Sequence, residues 1–124
     1  MQSAMEAVRL FHEKFNIPQG TSFAKVDRRR LRIKLLLEEV DEYLEGEENN
    51  DIVEIADALA DMVYIICGTA LEYNIPLDKV FNEVQRSNMT KNPSKNREDG
   101  KVLKGPDFEP PKIKEILEQH EASF

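Results

Sequence analysis

Several residue types are scarce in this chain of 124 residues. It has no Trp, a single Cys and only five Gly. One cysteine cannot form a disulfide within the chain, so a disulfide framework is excluded and a reducing compartment is expected. The low Gly content, the long amphipathic stretches and the lack of any alternating strand pattern favour helices over a β-sandwich or a barrel.

A long uninterrupted hydrophobic run is also missing. Asp57 and Asp61 interrupt the longest apolar stretch, and no basic segment precedes an apolar run at the N-terminus. We therefore expect no membrane span, no export signal and a cytoplasmic location. The net charge of −7 argues against a protein that coats nucleic acid.

Basic residues are absent from the centre of the chain. From Leu35 to Asp78 there is no Lys or Arg, yet this segment carries thirteen Asp and Glu, eleven of them between Glu38 and Asp61. Eight basic residues precede this segment and nine follow it. Two basic arms that flank an acidic centre would suit a site in which the acids bind cations and the arms reach phosphates.

The chain length predicts one domain over residues 1–124, with its core at about 3–91 and a basic loop and short C-terminal helix over 92–124. We expect an all-α fold, an antiparallel bundle of four main helices per protomer that dimerisation completes. The predicted helices are about 3–15, 27–44, 50–73, one starting near 77, and a last short one at about 111–119. Ser3 is the predicted N-cap of the first helix, in a capping box with Glu6, and Gly46 is the predicted stop of the second.

The second predicted helix begins with Arg28, Arg29 and Arg30, which oppose the helix dipole. They either serve a ligand or partner or are solvated surface residues. Further along, Glu38, Glu39 and Glu42 project within about 100 degrees of one another, since residues three and four apart share a helix face.

On the third predicted helix Glu54, Asp57 and Asp61 share a sector about 60 degrees wide. If the two helices pack antiparallel, the two sets of acids face one another. Carboxylates crowded in this way are either protonated or bound to cations. Carboxylates without a nearby His or Cys favour Mg²⁺ or Mn²⁺ over Zn²⁺.

The ordinary alternative is that helix acids face solvent. We accept it for the remaining acids of the second helix and its end, Asp41, Glu45, Glu47 and Glu48. For the acids of the third helix we favour function, because only apolar or small residues surround them, and we expect that helix to be nearly enclosed by protein.

The acidic motifs resemble those of a known enzyme superfamily. EExxE at Glu38–Glu42 followed by ExxD at Glu54–Asp57 is similar to the MazG-like all-α nucleoside triphosphate pyrophosphohydrolases. The likeness extends to the small single-domain subgroup labelled phosphoribosyl-ATP pyrophosphohydrolase-like, through FHEKF at 11–15, DALAD at 57–61, SNMxK at 87–91 and DGKVLKGP at 99–106. The resemblance covers about residues 5–111.

The resemblance implies a role for particular residues. Glu39, Glu42, Glu54 and Asp57 would bind Mg²⁺, with Mn²⁺ as a substitute, and Asp61 would support them or act as an additional ligand. Glu38 would orient or deprotonate the attacking water. Asn88, Lys91 and Lys104 would contact phosphates or the metal ligands, while His12 and Phe11 could line a nucleobase pocket. The alternative for His12 and Phe11 is an ordinary core face with a hydrogen-bonded histidine.

The activity implied is hydrolysis of (d)NTPs to (d)NMPs and pyrophosphate, in sanitation of the nucleotide pool. One alternative is a phosphoribosyl-ATP pyrophosphohydrolase of histidine biosynthesis, and another is a non-catalytic helical oligomer that binds nucleotide or metal. The implied partners are the nucleotide substrate and a second copy of the chain, as a homodimer or a dimer of dimers. No nucleic acid or membrane partner is expected.

Overall fold

A computed structural model describes residues 1–20, 28–92 and 96–122. Over these residues the secondary structure is five helices and no strand, apart from an isolated bridge between Asn96 and Val102. The prediction of an all-helical protein is confirmed for this part of the chain. The helices are α1 (Gln2–Lys14), α2 (Arg29–Glu48), α3 (Ile52–Glu72), α4 (Leu77–Asn88) and α5 (Ile113–Ala122).

The chain divides into two compact units, an N-terminal unit (Met1–Ile75) and a C-terminal unit (Pro76–Phe124). The first contains α1, α2 and α3, and the second contains α4 and α5. One domain over 1–124 and a bundle of four main helices completed by dimerisation stay predictions. None of the helices in the described ranges is long and apolar enough to cross a membrane.

Helices α2 and α3 form a hairpin whose short connection makes them antiparallel. Asn50 turns the chain with a φ of 51°, in the left-handed region that Asn tolerates. Asp51 then caps α3, because its Oδ1 accepts hydrogen bonds from the amides of Val53 and Glu54 at 3.1 and 3.2 Å. The hairpin is therefore fixed by local hydrogen bonds that lie directly before the ExxD motif.

Two predicted helix boundaries are wrong. Helix α2 continues through Gly46 to Glu48, and a Cβ at Gly46 would lie 3.0 Å from Ile55 Cγ1. This glycine allows α2 and α3 to pack closely, so it is a packing residue and not a stop. Helix α1 starts at Gln2 with Met1 as its N-cap and no side-chain cap, so the capping box of Ser3 is not formed.

The core of the N-terminal unit is small. Val8, Ala58, Cys67 and Ala70 are buried, and α1 and α2 both pack on α3. The expectation that protein nearly encloses α3 is wrong for a single chain. Its side chains Leu59, Val63 and Ile66 keep exposed fractions of 47%, 41% and 41%, because α1 and α2 leave that side of the helix uncovered.

Candidate metal centre

Three carboxylates from the two acidic motifs and their surroundings converge between α2 and α3. Glu39 and Glu42 come from α2 and Asp61 from α3, and one oxygen of each lies within 4.8 Å of the other two. Glu39 and Asp61 are half-buried, whereas Glu42 is exposed. The antiparallel hairpin thus gathers acids that are about twenty residues apart in sequence, as the helical spacing predicts.

The three carboxylates change one another's proton affinity. Burial raises the pKa of Glu39 to about 7, aided by a hydrogen bond and the charge of Glu42 and by the charges of Asp61 and Asp57. Burial, followed by the charges of Asp57 and Glu42, also raises the pKa of Asp61. The Oε2 atom of Glu39 is buried and has no hydrogen-bond partner among the described residues. At neutral pH this set therefore needs either a proton or a cation.

The other predicted metal ligands border this set without belonging to it. Burial raises the pKa of Glu54, and the charges of Glu45, Asp51 and Glu42 add to the effect. The charge of Asp57 acts on both Glu39 and Asp61. The structure groups Asp61 with Glu39 and Glu42, and its role as a supporting residue or an additional ligand stays a prediction.

These residues fit a hard divalent cation. The donor set consists of oxygens alone, which Mg²⁺ and Mn²⁺ prefer. The unpartnered Oε2 of Glu39 is a lone-pair donor that a cation would satisfy, and the exposed Glu42 leaves a path from solvent. Mg²⁺ usually binds through a few carboxylates and keeps other positions for water or phosphate oxygens.

Glu38 lies elsewhere on α2, so the expectation that all three glutamates of the EExxE motif face α3 is wrong for Glu38. It lines a shallow groove on the outer side of the helix, together with Arg30, Ile33, Lys34, Leu37 and Asp41. One residue step turns the side chain by about 100 degrees, which carries Glu38 away from the α3 side where Glu39 lies. Orientation of the attacking water by Glu38 stays a prediction.

The predicted nucleobase contacts lie on α1. His12 is only 2% exposed, and its Nδ1–H donates to the carbonyl oxygen of Pro18 at 3.1 Å. Burial lowers the pKa of His12, so the ring is held neutral. Phe11 packs against the rings of Phe15 and Tyr64, with centroids 4.6 and 5.4 Å away. The structure does not bring His12 into the carboxylate set, and both substrate roles stay predictions.

The structure contains a buried ion-pair network that the sequence analysis did not predict. Glu72 of α3 is 1% exposed, with its Oε1 2.7 Å from Arg28 Nε and its Oε2 3.1 Å from Arg32 Nη1. Arg32 also donates to Thr69 Oγ1 at 3.0 Å and to the carbonyl oxygen of Ile65 at 2.7 Å. Arg28 is therefore neither a free ligand contact nor a solvated surface residue. The sequence does contain one sign of this network: Glu72 is the first charged residue after Asp61, on an otherwise uncharged helix segment.

A close approach of helices places this network against His12. A Cβ at Gly68 would lie 2.5 Å from Arg32 Nη2 and 3.0 Å from His12 Nε2. Only glycine leaves room there for both side chains, so α1, α2 and α3 meet at one polar point.

The predicted phosphate contacts lie in the C-terminal unit. Asn88 ends α4, and Lys91 lines a pocket of about 180 Å³ formed with Thr90, Asn92, Gly105, Pro106 and Asp107. Lys104 Nζ lies 4.9 Å from the centroid of the Phe108 ring. Contact of these three residues with phosphate stays a prediction.

Two hydrogen bonds that the sequence analysis did not predict join Glu109 to the end of α4. The Ser87 hydroxyl donates to the carbonyl oxygen of Glu109 at 2.7 Å, and Thr90 Oγ1 accepts from the amide of Glu109 at 2.8 Å. Ser87 is 1% exposed. The chain after α4 is thereby tied back to the end of that helix, which positions the residues around Lys91.

Comparison with protein families identifies the chain at the family level. Residues 6–88 match the model of the phosphoribosyl-ATP pyrophosphohydrolase family, a match that includes both acidic motifs and α2, α3 and α4. It indicates a pyrophosphohydrolase, a hydrolase that acts on acid anhydrides. No curated protein matches the chain. The chain belongs to the phosphoribosyl-ATP pyrophosphohydrolase family, the subgroup of MazG-like enzymes that its motifs resemble.

Proposed function

We propose that this protein is a Mg²⁺-dependent pyrophosphohydrolase of nucleoside triphosphates that serves nucleotide-pool sanitation. One water is added across the anhydride between the α and β phosphates, giving a (d)NMP and pyrophosphate. The observation that carries the proposal is the convergence of Glu39, Glu42 and Asp61 within 4.8 Å, in a chain of a pyrophosphohydrolase family. An all-oxygen site of this kind suits an ion that is shared with phosphate oxygens.

The carboxylates are proposed to act as the anchor for the ion. When bound, a divalent cation offsets negative charge on the phosphate oxygens and lowers the pKa of a bound water. Glu39, Glu42 and Asp61 would provide the protein oxygens, and Glu54 and Asp57 are further predicted ligands at the border of the set. Because a ligand carboxylate binds metal in its ionised form, Glu39 would release its proton as the site fills.

Residues outside the carboxylate set are proposed to position the substrate. The ammonium groups of Lys91 and Lys104 would stabilise the leaving pyrophosphate, and Asn88 would donate to a phosphate oxygen. The pocket beside Lys91 supports this assignment. Glu38 is proposed to orient the water, and Phe11 and His12 to contact the base, on the strength of the motif resemblance alone.

A panel of nucleotides tests the function. We expect one pyrophosphate per (d)NMP formed, in Mg²⁺ or Mn²⁺ and not in EDTA. The exposed acid Glu47, also on α2, provides the matched control, because Glu47→Gln should keep the activity that Glu42→Gln loses. Release of inorganic phosphate with a diphosphate product would contradict cleavage between the α and β phosphates.

The family match favours a second candidate, phosphoribosyl-ATP. Its hydrolysis to the monophosphate breaks the same anhydride and would use the same carboxylates, so the site geometry does not separate the two substrates. Comparison of kcat/KM does. A value for phosphoribosyl-ATP far above that of every nucleoside triphosphate would assign the protein to histidine biosynthesis, and no pyrophosphate from either class would leave a non-catalytic binding protein.

A further inference from the structure

A polar stripe runs along α4 and the turn that follows it. Its four residues are spaced by three and four positions, so they lie on one face of the helix: Glu83, Arg86, Ser87 and Thr90. The amide of Thr90 donates to the carbonyl oxygen of Ser87 at 3.0 Å, which continues the helical path beyond the end of α4. Each of the four side chains hydrogen-bonds to a residue between Glu109 and Lys112. The stripe therefore holds a second segment of the C-terminal unit against α4.

Two hydroxyl groups of this stripe hold one residue of the returning chain by both of its backbone groups. Ser87 Oγ donates to the carbonyl oxygen of Glu109 at 2.7 Å, and Thr90 Oγ1 accepts from the amide of Glu109 at 2.8 Å. Thr90 Oγ1 also donates to the carbonyl oxygen of Ser87 at 2.7 Å, which uses the one proton of this hydroxyl group. Ser87, Thr90 and Glu109 thus form a closed set, which we call the hydroxyl clamp.

The residues after Glu109 fix the register of the hydroxyl clamp. Pro110 and Pro111 have no backbone N–H, so neither can replace Glu109 as the donor to Thr90. The next amide in the chain, that of Lys112, also donates to the stripe, at 2.6 Å. A shift that placed either proline at Thr90 would leave the hydrogen bond to Thr90 Oγ1 unmade. The segment is therefore held in one position along α4.

Lys91 directly follows the hydroxyl clamp and is held on its other side as well. The amide of Asn92 donates to the carbonyl oxygen of Leu103 at 3.3 Å. A Cβ at Gly105 would lie 2.7 Å from Asn92 Cβ, so only glycine allows the two chain segments to approach so closely. The backbone of Lys91 is therefore fixed at both neighbours, by hydroxyl groups before it and by close packing after it.

The pocket beside Lys91 is built by the same two chain segments. It has a volume of about 180 Å³, and its lining residues are Thr90, Lys91, Asn92, Gly105, Pro106 and Asp107. No hydrogen bond or ion pair within the described ranges occupies the ammonium group of Lys91. A loop that has to become ordered on binding loses affinity, whereas a loop that is ordered beforehand does not. The hydroxyl clamp thus prepares this pocket in the free protein.

We propose that Thr90 is a positioning residue for Lys91, which it holds in place for pyrophosphate by clamping Glu109 against the end of α4. The hydroxyl group of Thr90 has no proton left for an anion, because it donates to Ser87, so Thr90 acts through Lys91. The inference rests on the proposed function, in which Lys91 contacts the leaving pyrophosphate. It assigns a role to the position that the SNMxK motif leaves unspecified.

Isothermal titration of the full chain with inorganic pyrophosphate in Mg²⁺ tests this role. Thr90→Val keeps the branched shape of the side chain but removes the hydroxyl group, so the affinity should fall by about fivefold. Thr90→Ser retains the hydroxyl group and should stay within about twofold of the wild type. In a Lys91→Ala background Thr90→Val should change the affinity by less than about 1.5-fold, because the residue through which Thr90 acts is then missing.

Thr69→Val is the matched control. It makes the same change of side chain in the N-terminal unit, where the hydroxyl group of Thr69 accepts from Arg32 Nε at 3.0 Å. Loss of this hydrogen bond should lower the midpoint of urea denaturation and leave the pyrophosphate affinity at the wild-type value. The control thus separates a general loss of stability from a loss of positioning at Lys91.

Several results of the titration would overturn the positioning role. A wild type that binds no pyrophosphate does so, and so does a Thr90→Val protein that binds it as tightly as the wild type. An equal loss with and without Lys91, or a Thr90→Ser protein as weak as Thr90→Val, would show that Thr90 does not act through its hydroxyl group on Lys91. Pyrophosphate release from nucleotides is measured separately. A wild type that binds pyrophosphate but releases none from any nucleotide contradicts the proposed activity and leaves the positioning role intact.

Discussion

Two glutamates of the N-terminal unit have buried carboxylate oxygens, but the charges around them have opposite signs. Glu72 is 1% exposed and lies between the guanidinium groups of Arg28 and Arg32. The Oε2 atoms of both glutamates are buried without a hydrogen-bond partner among the described residues, but Glu39 lies among the carboxylates of Glu42 and Asp61. The chain supplies positive charge to the first glutamate and more negative charge to the second.

This difference separates an acid whose charge the chain itself neutralises from an acid whose charge it does not. Two carboxylates about 4 Å apart repel by about 4 kcal/mol at an effective dielectric constant near 20. The sequence contains no Lys or Arg between Leu35 and Asp78. Positive charge near Glu39 therefore has to come from protons, from ions or from basic residues before or after this segment. Glu72 needs no such help, since its two arginines precede that segment.

Removal of the charge on Glu72 should have the largest effect on stability. Glu72→Gln leaves Arg28 and the nearly buried Arg32 without their counterion, and breaking a buried pair in this way costs about 3–5 kcal/mol. Urea denaturation measures the loss. Glu6→Gln is the matched control, because Glu6 pairs with Arg9 on the surface, where solvent screens the pair, and its loss should leave the urea midpoint nearly unchanged. Equal midpoints for the two variants would contradict the distinction.

Around Glu39, substitutions of the neighbouring acids should have their largest effect on catalysis. Glu42→Gln and Asp61→Asn each remove a charged oxygen from the three-carboxylate set, and we expect kcat to fall by at least about 100-fold with saturating Mg²⁺. The measurement is pyrophosphate release, with circular dichroism to show that the helices persist. Glu47→Gln should stay near wild type. Near-normal turnover of either cluster variant would remove that residue from the metal site.

The sequence was sufficient to predict the convergence of acids. Helical periodicity places Glu39 and Glu42 on neighbouring faces of α2, and the short connection makes α3 antiparallel, so Asp61 could be expected opposite them. Helical periodicity does not show whether Asp61 or Asp57 joins Glu39 and Glu42. Both lie on the same side of α3, and which one completes the set depends on the heights of the two helices, which Gly46 and Asp51 fix through packing and capping.

The ion-pair network could not be predicted in the same way. Arg28 and Glu72 are distant in sequence, and no periodic pattern links two long side chains on different helices. Gly46 and Gly68 show the same limit, because a glycine that ends a helix and one that admits a close neighbour look alike in the sequence. The exposed side of α3 was misjudged because an apolar helix does not reveal whether its neighbours belong to the same chain.

Without divalent ions, Glu39→Gln should raise the stability of the protein, whereas Glu72→Gln should lower it. Without divalent ions Glu39→Gln removes repulsion from Glu42 and Asp61, and we expect Tm to rise by about 2–4 °C at pH 8. Because Glu39 is a proposed ligand, Mg²⁺ should raise the Tm of the variant by much less than that of the wild type. Differential scanning calorimetry with EDTA or Mg²⁺ measures both effects. An undiminished Mg²⁺ response would show that Glu39 does not bind the ion.

The smallest effect is a pH dependence of the ion-free protein. Burial and the neighbouring acids raise the pKa of Glu39 to about 7 in the folded state, against an ordinary value of 4.5. The folded protein therefore keeps a proton that the unfolded chain loses between these values. The stability that this proton supplies is complete below about pH 4.5 and is lost as pH rises to about 7. Glu39→Gln lacks this titration.

The free energy of unfolding of the wild type, minus that of Glu39→Gln, should consequently fall between about pH 4.5 and 7 in EDTA and level off above. His12 acts in the opposite direction, since burial lowers its pKa and stability is lost as pH falls below its ordinary value of 6.5. That contribution is common to both proteins and cancels in the difference. A difference that stays constant with pH would mean that Glu39 is ionised in the folded protein, and the contrast with Glu72 would then rest on geometry alone.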